Sequence, residues 1–427
     1  MKKTIFLIIF LLFFLSSLSF ANPAQVDIIT VEGVINPVTS EFIANSIDQA
    51  NKDKAECLVI QLDTPGGLVD STRSIIKSMM ASDVPIVVYV SPSGARAASA
   101  GVFITLASHV AAMAPGTNIG AAHPVTIEGG AEKDSVMGKK IENDLAAYIK
   151  TIANKTGRNV EWAEKAVRES VSITEQKAIE EKIIDFIAKD LDDLFAKLNG
   201  KKVATATGEK HIRTKGAKLN RIEMPPAQRF FKVITDPNIA YLLMMIGMVG
   251  IFFELKSPGL MFPGIVGVIC LILAFYALQT LPINYAGLFL ILFAILLFLT
   301  ELYVPSYGLL TTGGIISLVL GSMMLVDTPY PFLRISLNVI LPVALSIAAI
   351  FFFLVGAILK AHAKKTTTGK EGLIGLIGYA ETDIKKSGKV LVHGELWNAV
   401  SDEDIDAKGK IKVVGMDGFL LKVEKLK

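Results

Sequence analysis

Between residues 239 and 359 the chain carries five apolar spans, at roughly 239–253, 264–278, 285–302, 309–326 and 339–359. No other feature limits the possible folds as much. Several approach or reach the roughly 20 residues that cross a bilayer, where backbone polar groups must be satisfied inside the segment, so helices are required. The first two are short, which leaves four to six crossings. Lys360, Lys364 and Lys365 directly follow the last span, and this excess of positive charge places that end in the cytoplasm. Five crossings then leave everything before the first span on the opposite side.

The N-terminus agrees. Lys2 and Lys3, an apolar run at 5–15 and the small-x-small sequence Ser19-Phe20-Ala21 read as a secretory signal over 1–21, with an uncleaved anchor helix as the alternative. At 427 residues and 52% hydrophobic, the chain is too long for one core and apolar enough to lie partly in lipid. A net charge of +3 is small for this length and gives no nucleic-acid surface. Cys57 and Cys270 occupy unlike surroundings, a soluble strand and an apolar span, so no disulfide framework is expected. The expected organisation is signal at 1–21, a soluble domain at 22–237, a membrane domain at 238–360 and a second soluble domain at 361–427.

From 26 to about 189, β-rich runs alternate with helical ones, the pattern of α/β layering. Strands are expected at 26–31, 57–62, 85–90 and 109–113. Phe42, Ile43 and Ile47 mark one amphipathic helix, and Leu68, Ile75, Ile76 and Met79 another; further helices are expected at 140–153, 160–170, 174–181 and 190–198. A hairpin around Gly208 and a polar linker ending near Asp236-Pro237 follow. Within the membrane region, Glu254-Leu255-Lys256-Ser257-Pro258-Gly259 and Glu301-Leu302-Tyr303-Val304-Pro305-Ser306 end the first and third spans alike, which reads as a duplicated helical hairpin. Both carboxylates read as helix-end residues reaching headgroup water rather than as functional groups. Beyond 369, strands at 390–392, 397–400, 411–414 and 419–423, with one through Glu381, predict a small closed barrel of OB type. That barrel lacks an aromatic-and-basic series, so a protein partner fits it better than nucleic acid.

The candidate chemistry sits at Gly94-Ala95-Arg96-Ala97-Ala98-Ser99-Ala100-Gly101, where a strand hands over to a helix. A serine there can be held rigidly, with backbone N–H groups and the helix dipole facing incoming negative charge. Small residues at close helix packing explain the same run equally well when it is taken alone. Asp63-Thr64-Pro65-Gly66-Gly67, also at a strand end, can present backbone N–H groups to a ligand. No His, Cys or carboxylate cluster has metal-ligand spacing, no cofactor motif occurs, and no phosphate-binding loop is present.

These two segments, with Asn118-Ile119-Gly120-Ala121-Ala122-His123-Pro124, Glu254 to Gly259 and Gly394-Glu395-Leu396-Trp397-Asn398-Ala399, resemble the long form of the NfeD family. The resemblance spans nearly the whole chain. It implies a multi-domain protein: an α/β domain of Clp-protease (crotonase-like) fold, then a helical transmembrane domain, then a small OB-type β-barrel. It further implies an ATP-independent serine endopeptidase with a Ser–Lys dyad that cuts apolar segments of stomatin- or prohibitin-like membrane proteins, and a homodimer or larger assembly. Ser99 would be the nucleophile. The family's Lys-Ile-x-Asn segment matches Lys140-Ile141-Glu142-Asn143, making Lys140 the base; Gly67, with Gly66, and Ala100 would form the oxyanion hole.

Periodicity does not separate Lys140 from Lys139, and a solvated lysine is the plain reading of either; a lysine takes a serine proton only when its pKa falls well below about 10.4 through burial. His123 is the alternative base, in a Ser-His-Asp arrangement. Two other functions remain open: a membrane scaffold that binds a stomatin-type partner without cutting it, and acyl-thioester chemistry on the same fold.

Overall fold

Short β-branched runs in the first half of the chain become strands, and the intervening amphipathic runs become the helices that cover them. In the computed structural model the described residues are 24–124, 136–256, 259, 261–279, 281–301, 303–304, 306–328, 333–362 and 370–426. The expected signal at 1–21, and Lys364 and Lys365, lie outside them. In order, the soluble elements are β1 (Gln25–Glu32), α1 (Pro37–Asp53), β2 (Cys57–Asp63), α2 (Val69–Met80), β3 (Ile86–Val90), β4 (Arg96–Ala98) and α3 (Ala100–Ala107). Next come β5 (Val110–Met113), β6 (Asn118–Gly120), α4 (Val136–Thr156), α5 (Val160–Arg168), β7 (Ser172–Thr174) and α6 (Glu175–Glu180). Finally there are β8 (Phe186–Ile187), α7 (Leu191–Leu198), β9 (Lys202–Thr205), β10 (Gly208–His211), β11 (Lys218–Arg221) and α8 (Pro226–Ile234).

The main sheet runs β11-β1-β2-β3-β5-β8 with every neighbour parallel. Strands covered on both faces read as unbroken apolar runs, and β2 is of this kind. Its Leu58, Ile60 and Leu62 enter one core and its Cys57 and Val59 the other. A small second sheet, β4-β6-β7, stands at the strands' carboxyl ends and carries the Ser99 turn. Helix α1 starts at an Asn36 cap whose side chain accepts from the Thr39 N–H at 2.9 Å, with Pro37 in the first turn.

Buried Arg158, between α4 and α5, ties this unit together. Its guanidinium donates to the carbonyls of Leu106, Ser108 and Ile183 and to Asp185 Oδ2 at 3.1 Å. Burial alone would raise the Asp185 pKa, but the Arg158 charge, the Ala111 amide and Lys201 outweigh it and hold the carboxyl below its ordinary range.

Two stretches differ from expectation. The linker before Asp236 contains the polar strand β11, which pairs with β1 from Gln25↔Lys218 to Ile28↔Arg221, and the helix α8. Strand β11 has one apolar residue in four and is held by backbone pairing at an edge, so side-chain pattern conceals it.

The apolar spans are helices: α9 (Pro237–Lys256), α10 (Phe262–Leu278), α11 (Tyr285–Glu301), α12 (Leu309–Met324) and α13 (Leu337–His362). Residues Pro237–Leu255 are long and apolar enough to cross a bilayer. Helices α9 and α10 meet at glycines: a Cβ on Gly250 would lie 2.5 Å from the Pro263 carbonyl oxygen. Helices α11 and α12 use the same device, a Cβ on Gly321 falling 2.7 Å from the Gly287 oxygen. The duplicated-hairpin reading therefore has a packing counterpart. Glu301 does not reach for headgroup water. It is 5% exposed and accepts from Ser306 Oγ at 2.6 Å and the Gly308 and Thr311 N–H groups at 3.0 Å, capping α12.

The last domain opens with α14 (Lys370–Leu373), followed by β12 (Ile377–Ala380), β13 (Ser387–Val392), β14 (Glu395–Val400), β15 (Lys410–Asp417) and β16 (Leu420–Lys425). These close as a five-stranded barrel in the order β12-β13-β14-β16-β15 around Val390, Val392, Ile411, Val413 and Leu421.

Replacing Arg158 with Met strands three carbonyls and leaves the Asp185 carboxylate to Lys201 and the Ala111 N–H. We expect a loss of about 3 kcal/mol in denaturant unfolding of the soluble unit. The Asp185 contribution is present above the ordinary carboxylate pKa and vanishes as pH falls through the lowered one, so Asp185→Asn flattens stability against pH in the acid range.

Candidate active site

Strand β2 ends at Asp63, and the chain turns through Thr64, Pro65, Gly66 and Gly67 before entering α2. The Asp63 carboxylate accepts from the Arg96 N–H at 3.0 Å. The backbones of Thr64 and the β4 strand exchange hydrogen bonds, Thr64 N–H to Arg96 O at 2.8 Å and Ala98 N–H to Thr64 O at 3.0 Å. The two sequence motifs are thereby laid side by side.

Ser99 joins β4 to α3 with φ +49° and ψ −108°. A non-glycine residue at positive φ on a strand-to-helix turn is uncommon and matches the strained elbow on which nucleophiles are carried. The Ala121 carbonyl, accepting from the Ser99 N–H at 3.1 Å, holds it there. Gly66 faces it so closely that a Cβ would fall 2.7 Å from Ser99 Cβ and 3.1 Å from its Oγ. Gly66 also has φ +126°, a region that L side chains avoid.

The orientation of the next peptide unit follows from planarity. The Gly66 carbonyl accepts from the Ile35 N–H at 2.9 Å and from Thr64 Oγ1 at 3.1 Å. In a trans peptide the following N–H points the opposite way, so the Gly67 N–H turns away from these donors, and Gly67 lines a cleft together with Ser99. Gly67 itself has no room for a side chain, since a Cβ would sit 2.1 Å from the Ile35 oxygen. The Gly66 N–H is already taken by Thr64 Oγ1 at 3.0 Å. Among the described residues the amides of Gly67 and Ala100 have no acceptor, Ala100 being the first residue of α3. Of the three expected oxyanion residues, two thus offer a free donor and Gly66 supplies space.

The cleft walls are apolar: Val69, Phe103, Ala122, Pro124, Leu145 and Tyr148 line it together with Ser99. Across its mouth Arg73 of α2 pairs with Asp144 of α4 and stacks its guanidinium 4.4 Å from the Tyr148 ring centroid. Phe103 also stacks with Tyr148, centroids 6.1 Å apart.

Lys140 and Lys139 are both exposed on the first turns of α4, and Lys140 makes no hydrogen bond to Ser99 among the described residues. Its place on the helix is nevertheless informative. Lys140, Asp144 and Tyr148 follow at intervals of four and so share one stripe. Tyr148 lines the cleft and Asp144 pairs with a residue that lines it. Lys140 lies one turn before Asp144, on the flank of the helix face that lines the cleft, and is not itself a lining residue. His123 instead directs Nδ1 at the Val167 carbonyl, 2.8 Å away, and does not line the cleft. The motifs did not reveal Arg73, Asp144 and Tyr148. Their only signal was a polar i, i+4 pair ending on an aromatic, which many surface helices share.

Residues 25–198 match the NfeD1b N-terminal domain, 238–357 the NfeD integral membrane domain and 370–425 the NfeD-like C-terminal, partner-binding domain. The membrane-bound protease PH1510 of Pyrococcus horikoshii is 35% identical over 99% of this chain and 97% of its own length. The chain belongs to the NfeD family. The Bacillus subtilis membrane protein NfeD1b is 26% identical over 95% of this chain and 94% of its own. The solved 1510-N membrane protease specific for a stomatin homolog, from P. horikoshii, covers 50% of this chain and all of its own at 31% identity, with a TM-score of 0.44. As an NfeD-family member the protein is membrane-bound.

Gly66→Ala should place a methyl against Ser99 at a backbone angle alanine resists. A fall in peptide turnover of roughly 100-fold, with an unchanged circular dichroism spectrum, is the expected outcome.

Proposed function

We propose that this chain is a membrane-anchored serine endopeptidase whose nucleophile is Ser99 and whose base is Lys140, acting without ATP on apolar segments of a stomatin- or prohibitin-like membrane protein. One observation carries the reading. A peptide plane fixed by Ile35 and Thr64 aims a free N–H beside a serine on a strained elbow, and the Ala100 N–H stands next to it. A carbonyl oxygen that gains charge as Ser99 Oγ attacks would accept from both donors. The serine proton goes to the Lys140 amine and from there to the leaving amine, and water then repeats the cycle on the acyl-enzyme. An amine works as a base only in its neutral form. Here an apolar peptide filling the cleft supplies the dry surroundings, and the four-carbon stem of Lys140 bends down from its stripe to meet Ser99. The walls of Val69, Phe103, Leu145 and Tyr148 suit an apolar side chain.

The protease domain lies outside the cytoplasmic membrane and the barrel inside, as the lysines after the last span imply. The barrel is the part that meets the membrane-protein partner. A second reading, a scaffold that binds without cutting, is favoured by the exposure of Lys140.

The two separate on a hydrophobic peptide. Ser99→Ala should lower kcat by roughly 10⁴-fold and Lys140→Ala by about 10³-fold. Full cleavage by either variant rejects the dyad, and partner binding without cleavage by the wild type selects the scaffold.

A further inference from the structure

Between β1 and α1 runs a short ribbon, residues 32–36, on which the Gly66–Gly67 turn is built. The Gly33 N–H donates to the Asp63 oxygen, the Ile35 N–H to the Gly66 oxygen, and the Ile35 oxygen accepts from the Leu68 N–H, each at 2.9 Å. Helix α8 grips this ribbon at both ends. Lys232 Nζ donates to the Glu32 carbonyl at 2.8 Å, and Asn36 Nδ2 donates to Thr235 Oγ1 at 3.2 Å, while Asn36 Oδ1 is engaged in capping α1. Lys232 is half-buried and Thr235 buried.

Helix α8 also touches the membrane region. Phe231 packs on Tyr276 of α10, ring centroids 5.5 Å apart, and α8 runs within three residues of the start of α9. Phe230 and Val233 stay 53% and 54% exposed, beside Arg229, which suits a helix lying at a bilayer surface.

We infer that α8 is a strut between the membrane helices and the oxyanion turn, with Lys232 and Thr235 as positioning residues for the Gly67 N–H. This rests on the proposed function. Neither residue touches the cleft. Each fixes a ribbon end, the ribbon fixes the Gly66 carbonyl, and the planar peptide transmits that orientation to the donor. A small rotation of the plane matters because donors act only when aimed at the oxygen as it will be in the transition state, and a misplacement of about 1 Å can cost roughly 100-fold.

The experiment uses the full chain in phospholipid nanodiscs with a hydrophobic peptide. Lys232→Met and Thr235→Val should each lower kcat by about 10- to 100-fold, with KM and melting temperature unchanged, and Lys232→Arg and Thr235→Ser should restore most of it. Wild-type turnover in both Lys232→Met and Thr235→Val, a loss confined to KM, a loss that tracks a fall in melting temperature, or failure of both conservative variants to restore kcat overturns the inference. A wild-type chain that cleaves nothing overturns the proposed function and this inference with it; an active wild type with unaffected variants overturns this inference alone.

Discussion

The orientation of one peptide plane, Gly66–Gly67, governs the site. Its carbonyl is held by the Ile35 N–H and by Thr64 Oγ1, and everything that makes the cleft a candidate for acyl transfer depends on where the attached N–H then points. The parallel pairing of β1 with β2, in register from Val26↔Cys57 to Glu32↔Asp63, delivers Ile35 to that position. Side chains are excluded by contact: Gly66 is pressed against Ser99 and Gly67 against Ile35. A hydrogen bond at such a plane is worth about 1 kcal/mol in stability, whereas an oxyanion-hole donor, where one acts, is worth two to three decades of rate.

The same economy recurs in the membrane domain. Without a hydrophobic drive between helices in lipid, close approach at Gly247, Gly250 and Gly267, and again at Gly287 and Gly321, supplies the packing. Glu301 satisfies the orphan N–H groups at the start of α12 that lipid could not. The Glu254 end is looser, its Oε1 accepting from the Gly259 N–H at 3.4 Å. The two halves of the repeat thus share a plan, with a tighter cap at Glu301.

Much of this was legible in the sequence wherever one pattern decided the structure. Cys57–Asp63 is apolar on both faces and becomes a central strand. The five apolar spans become five helices, and the Gly-punctuated C-terminal strands close as a barrel. Legibility failed where backbone or long-range contacts decide. Strand β11 is polar and joins by its backbone, and α8 is a nine-residue helix whose role depends on partners about 200 positions away, Glu32 and Asn36. At the site, Ser99 and Gly67 could be read from their motifs. The Arg73–Asp144–Tyr148 clasp could not, because no local pattern tells a clasp across a cleft from an ordinary solvated helix face.

The most direct measurement is covalent labelling of the full chain by a fluorophosphonate, which reacts with serines whose hydroxyl is activated and whose oxyanion is stabilised. The account predicts a single adduct at Ser99 whose formation slows sharply in Lys140→Ala. No adduct at Ser99 on the folded full chain, or an equal labelling rate in Lys140→Ala, would contradict it.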